Sequence, residues 1–343
     1  MRAVTAPCVS PRTRGFSLIE LMIAMLLGLV VIAGVTSVFL ANMSSYNTNQ
    51  ALSEVQDGAR TAFELMSRDI RQAGLTGCSE NETVINVLNN GTTYWYTDWN
   101  NASGNGGPVI GYDAGTADSA VTTGTAASNR LATSPSLHLM GASASGLSLS
   151  ADNENSGTFT LNETTATVPT GTIMMVCNPD HAAIVQITGQ AGAVLTHAVS
   201  TSPTPGNCVK GLGAPSGCVG NQYDYQANAM LSPLQAEDWY VGPSSAGTGT
   251  NSLYRLALTY DSSGNANLTA EEIVRNVTNM QITYLVNGGT AFVSAATVAG
   301  NWTNVTAVQV SLTLQSTGQN VSTNSSSIQR TFTSTTTLRN RVL

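Results

Sequence analysis

One carboxylate interrupts an otherwise uncharged stretch. Glu20 stands at the head of a run in which residues 21–41 carry no charge at all. A helix needs about 20 apolar residues to cross a hydrocarbon core of roughly 30 Å, so this run is long enough to span. A carboxylate inside such a segment costs on the order of 2.5–3.5 kcal/mol on insertion scales and marks a functional position by default. Arg14, Gly15, Phe16 and three uncharged residues precede it. The other side chains able to do chemistry are more scattered. His138, His181 and His197 lie far from any tight cysteine pair, and no CxxC occurs. Gly104-Asn105-Gly106-Gly107 and Gly211-Leu212-Gly213 lack a P-loop lysine, and GxSxG is absent. Asp180 and His181 are adjacent, but no nucleophile motif accompanies them and a turn is expected there. No catalytic activity, cofactor or metal site is expected.

The order Gly15-Phe16-Ser17-Leu18-Ile19-Glu20, with basic residues before it and an apolar run after it, resembles the processing site of type IV prepilins and pseudopilins. The resemblance implies that a membrane prepilin peptidase cuts after Gly15 and methylates the new N-terminal Phe16. It also implies that Glu20 serves filament assembly. An ordinary signal anchor would explain the apolar run but gains nothing from a buried carboxylate.

The leader, residues 1–15, is therefore set aside for fold reasoning. It holds Arg2, Arg12 and Arg14 and no acid, leaving ten basic against twenty acidic side chains in the rest of the chain. So acidic a chain, without a basic run, is a poor phosphate-backbone binder, and no nucleic-acid partner is expected. After the apolar run the first charge is Glu54 and the first basic residue Arg60. The positive-inside rule then puts the leader in the cytoplasm and the remainder outside the inner membrane. Cysteine use agrees with that compartment. Cys8 leaves with the leader, and Cys78, Cys177, Cys208 and Cys218 remain, which allow three disulfide connectivities. Cys208 and Cys218 bracket a short loop rich in Gly and Pro, which favours local pairing, with Cys78 and Cys177 left for each other.

The elements that must carry these residues read as follows. The spanning half of a long helix covers residues 16–41 and an amphipathic half covers 42–74. From Leu52 onward Val55, Ala59, Ala62, Phe63, Met66, Ile70 and Ala73 recur in steps of three and four, and Gly74 offers a stop. Residues 75–343 form a β-rich head with a loop-rich insertion around 79–130. Within it Tyr94-Trp95-Tyr96 and Trp99 read as core or loop packing, or as an exposed stacking surface. Alternating or buried-strand patterns follow at 136–140, 146–150, 158–161, 171–177, 183–188, 252–260, 281–286, 305–314 and 329–341. The predicted class is α+β: a long N-terminal helix packed on an antiparallel sheet.

The C-terminal part sharpens the resemblance. Arg71-Gln72-Ala73-Gly74 with Cys78, Ser252-Leu253-Tyr254-Arg255, Ile273-Val274-Arg275-Asn276-Val277 with Met280, Gln281 and Tyr284, and Leu338-Arg339-Asn340-Arg341 look like the PilW group of type IV pilus minor pilins. The group implies a minor pilin taking part in the assembly-initiating or tip complex. Its partners would be other minor pilins, the major pilin, the prepilin peptidase and the inner membrane. A minor pseudopilin of type II secretion and a tip adhesin are the alternatives. The middle of the chain, about 83–235, resembles nothing.

Overall fold

The computed structural model describes residues 15–78, 83–89, 94–100, 107–215, 217–247, 249–318, 321 and 326–341. The rest of the expected leader, residues 1–14 with Cys8, lies outside the described residues.

Helix α1 (Leu18–Gln72) is 55 residues long, about 80 Å at ~1.5 Å per residue. It has no proline, and Gly74 at φ +79° closes it. Its two halves meet different surroundings. From Phe16 to Tyr46 the large apolar side chains are exposed, most of them by more than half. From Ala51 onward one face is buried: Ala51, Val55, Ala59, Ala62, Met66, Asp69 and Ile70. The three-and-four spacing is what lays these residues on one stripe.

The head contains β1 (Thr83–Asn86), β2 (Val109–Tyr112), β3 (Ser136–Ala142), β4 (Leu147–Asn153), β5 (Thr158–Leu161), β6 (Ile173–Cys177) and β7 (His181–Gln186). Then come β8 (Gly189–Ala191), β9 (Val194–Thr196), β10 (Met230–Pro243), β11 (Asn251–Tyr260) and β12 (Ala266–Arg275). A separate three-stranded sheet has the order β13 (Val277–Val286), β14 (Val305–Gln315), β15 (Gln329–Thr337). The first twelve strands share one sheet. Pairing is antiparallel except that β1 lies parallel to β7, so the sheet is mixed rather than purely antiparallel.

Strand β10 joins the two ends of the large sheet. Its start pairs with β6 and β4, its middle with β3, and its end with β11. The patterns read from the sequence contain no such strand. Pro233 and the acidic pair Glu237-Asp238 break both alternation and a plain apolar run, yet most of β10 is buried on both faces. Strand β2 likewise falls inside the stretch read as irregular, and His181 opens β7 rather than sitting in a turn. The last strand ends at Thr337, with a 3₁₀ turn over Arg339–Arg341.

The docked stripe of α1 packs into a core with Leu137, Leu139, Trp239, Val277, Val308, Val310 and Leu312. Each large aliphatic buried there contributes about 1.5–3 kcal/mol. Close approach is required at Gly141, where a Cβ would stand 2.4 Å from the Gln72 carbonyl oxygen. A second core, around Ile85, Phe159, Val176, Val185 and Leu231, fills the part of the head built by β1 and β4 to β9.

Candidate assembly interface

Gly15 and Phe16 precede the helix in exposed chain without regular secondary structure, and Phe16 is 88% exposed. Ser17 is the N-cap, with extended backbone at φ −72°, ψ 150°. Its Oγ accepts the Glu20 amide at 3.3 Å, while Glu20 Oε2 accepts the Ser17 amide and the Ser17 hydroxyl, each at 3.0 Å. This is a capping box, which satisfies helix-end donors in both directions. It also supplies Glu20 with two local donors, so part of the desolvation cost of its carboxylate is offset within its own turn. The dipole at the helix start favours the same charge.

Along the apolar half the polar side chains are satisfied internally. Thr36 Oγ1 donates to the Ile32 carbonyl at 2.8 Å and Ser37 Oγ to that of Gly34 at 3.1 Å. Backbone groups close their bonds within the helix, which is what hydrocarbon demands. Gly28 and Gly34 face open space, with no atom within 4 Å of where a Cβ would stand. This half therefore presents apolar side chains, two gaps and one carboxylate to whatever surrounds it.

Among the described residues the first tie to the head is Thr48 Oγ1, which donates to the Val321 carbonyl at 2.8 Å. Glu54 takes the Thr317 amide at 3.2 Å and its hydroxyl. Deeper in the joint, Asp69 Oδ2 accepts the Trp239 indole N–H at 3.2 Å and lies 3.8 Å from Arg255 Nη1. Arg255 Nη2 also holds Glu271 at 2.7 Å. Burial pushes the Asp69 carboxyl up despite Arg255 and Arg68. Glu237 on the same face is pushed up to about 8, by burial first and by Asp69 second. Both belong to the packed joint between α1 and the large sheet.

The helix end is sealed by the residues quoted for the second resemblance. The Gly74 amide donates to the Met140 carbonyl at 2.7 Å, and Asn340 Nδ2 donates to the Gly74 carbonyl at 2.7 Å. Arg341 Nη1 donates to the carbonyls of Trp302 and Val305. Residues far apart in the chain thus converge on the docked C-terminal end of α1.

Cys78 is bonded to Cys177 of β6, with Cα atoms 5.8 Å apart, and Cys208 to Cys218, with Cα atoms 5.5 Å apart. The first ties the chain just beyond the helix to the large sheet. Trp95, Tyr96 and Trp99 are buried and Tyr94 alone is partly exposed, so the aromatic cluster offers no stacking face. Sequence reasoning missed a buried group of charges, Asp118, Arg130, His138 and Asp238. The only signal was an isolated His138 and Asp238 inside apolar patterns.

Residues 238–340 match the family model for Type IV Pilus-assembly protein W. Residues 10–36 match that for the prokaryotic N-terminal methylation motif. The first match begins inside β10 and ends at the Asn340 that seals the helix; the second covers the capping box and the start of the apolar half. No curated protein and no solved structure matches the chain.

Proposed function

We propose that this chain, a type IV pilus minor pilin of the PilW group acting in pilus assembly, initiates assembly through the free apolar half of α1 while the docked half carries the head as a rigid cargo. One observation carries this reading: a single helix is bare on every side up to Tyr46 and locked to the head from Ala51. The bare half suits lipid before assembly and the helices of other pilins after it. The leader is on the cytoplasmic side and the head in the periplasm, where both disulfides persist.

Prepilin peptidase removes the leader between Gly15 and Phe16 and methylates Phe16. The new amine then lies one turn from Glu20. In a filament the neighbouring helix is staggered, so one chain's amine meets another chain's Glu20. In low dielectric that attraction exceeds its value in water, although desolvation takes back much of the gain. Because Ser17 already serves the Glu20 carboxylate, the pairing sets register between neighbours more than it adds stability. The partners are other minor pilins and the major pilin.

The test is co-purification of other pilins with the wild-type chain and with Glu20→Ala, alongside mass spectrometry of the mature N-terminus. A mature chain starting at N-methyl-Phe16, with partners recovered by the wild type and lost by the variant, is expected. A chain still starting at Met1, or full partner recovery by the variant with normal piliation, would overturn it.

A further inference from the structure

On the face of the large sheet turned away from α1, four ionisable side chains are sealed from solvent. Trp239 points toward the helix and its neighbour Asp238 therefore points the other way. Asp238 sits directly across from His138 on β3. The connection from β2 to β3 folds over them and contributes Asp118 and Arg130. The side chains of Asp118, Arg130 and Asp238 are 0% exposed and that of His138 is 1% exposed.

The contacts within this group are uneven. Arg130 Nη1 donates to Ser136 Oγ at 3.1 Å and lies 3.5 Å from Asp118 Oδ2, and Ser136 Oγ donates to the same oxygen. The remaining Arg130 donors go to the carbonyls of Ser134, Asp113 and Thr116. Asp118 Oδ2 is thus held in place, while Oδ1 accepts the Ala120 amide at 2.8 Å and is turned to His138 Nε2 at 2.8 Å. Asp238 is different. Its Oδ1 is 3.9 Å from His138 Nε2, and among the described residues neither of its carboxylate oxygens has a hydrogen-bond partner of ordinary length. A buried ionised carboxylate is costly unless it is paired or bound to a metal.

We propose that Asp118, His138 and Asp238 form a binding site for a divalent transition-metal ion. The ligand atoms of all three lie within 4.8 Å of one another. An ion ~2.1 Å from each of three ligands in tetrahedral geometry wants them roughly 3.4 Å apart. The two separations that include His138, 2.8 and 3.9 Å, straddle that spacing, and the two carboxylates lie within 4.8 Å of each other. One imidazole nitrogen with two carboxylate oxygens suits zinc and its neighbours; calcium and magnesium prefer all-oxygen shells. Arg130 and Ser136 are the outer partners that orient Asp118. The His138 ring is fixed by Trp95 and Tyr112, with centroids 4.3 and 4.9 Å away. The ion takes the lone pair of His138 Nε2, so the ring in the bound state is neutral with its one N–H at Nδ1. The ion would clamp the β2–β3 connection to the centre of the sheet.

The probe is zinc. The full chain, carrying a tag free of histidine, is purified in detergent from cells grown with added zinc and dialysed against zinc-free buffer. Elemental analysis is expected to find ~1 zinc per chain in the wild type. His138→Gln and Asp238→Asn should bind far more weakly than the ~10–100-fold loss that removing an outer partner causes. His181→Gln, on an imidazole outside the cluster, should keep the ion. Zinc-edge X-ray absorption on the wild type needs no variant, and should show one imidazole, oxygen ligands and no sulfur. A wild type without zinc, zinc retained at full occupancy by His138→Gln, or a spectrum with two imidazoles or a thiolate would each overturn the proposal.

Discussion

Asp69 of the helix and Trp239 of the longest strand are joined by one hydrogen bond, indole N–H to carboxylate, 3.2 Å long and buried. It crosses the joint between α1 and the large sheet, among Met66, Ile70, Leu137 and Val277. Asp69→Ala strips the Trp239 donor and part of the Arg255 pairing at once. Leaving a buried donor unpaired costs ~1–3 kcal/mol. Asp69→Asn keeps an acceptor of the same size and should lose less. Thermal unfolding followed by circular dichroism should rank wild type, Asn and Ala in that order, and an Ala variant as stable as wild type would refute the joint's dependence on this contact.

The two disulfides should differ in weight. Cys78 and Cys177 are 99 residues apart in sequence and Cys208 and Cys218 are 10 apart. In the chain-entropy model, closing a ~100-residue loop contributes about 4.7 kcal/mol and a ~15-residue loop about 3. Denaturant unfolding of Cys78→Ala/Cys177→Ala should show the larger loss, and Cys208→Ala/Cys218→Ala the smaller. Non-reducing peptide mapping checks the pairing itself; free thiols at all four positions would contradict it.

His197 gives the head an acid-sensitive element. The ring is fully buried on Phe159, and among the described residues neither of its nitrogens has a hydrogen-bond partner of ordinary length. Burial, with Lys210 adding to it, lowers its pKa to about 4. An unfolded histidine titrates near ~6.5, so the unfolded chain binds the extra proton first. The contribution is therefore complete above pH ~6.5 and is lost as pH falls toward 4, by about 3 kcal/mol at most. Asp152 acts in the opposite sense, since burial raises its pKa to about 6 and favours the folded state at lower pH. The stability difference between wild type and His197→Phe, measured by urea unfolding from pH 7 to 4, should change along this curve. A difference independent of pH would exclude the role.

Glu20→Gln separates capping from charge. Glutamine at this position still completes a capping box with Ser17, so helix start and membrane insertion should persist. The charge that would meet a neighbour's amine is gone. Processing at Gly15 is expected to be normal and recovery of partner pilins impaired, read by immunoblot and co-purification. Normal recovery would assign Glu20 to capping alone.

Much of this molecule is local and was legible in the chain. The apolar run, its capping residue Ser17, the stripe from Val55 to Ile70 and the stop at Gly74 each depend on residues three or four apart, and helical geometry turns that spacing into a face. Strand β14 announces itself by alternation, because one of its faces is packed and the other is partly open, whereas β3 alternates in sequence but is buried on both faces. What the chain order could not tell was set by tertiary contact. Strand β10 is buried on both faces, and Pro233, Glu237 and Asp238 in it make sense only against β3, β6 and β11. The aromatic cluster at 94–99 is core, as its apolar content suggested, but that β6, β7 and β10 are what cover it was set by the fold. Asp118, His138 and Asp238 meet only because β2, β3 and β10 are neighbours in the sheet, bringing together side chains up to 120 residues apart. Periodicity records which way a side chain points; only the sheet order decides what it points at.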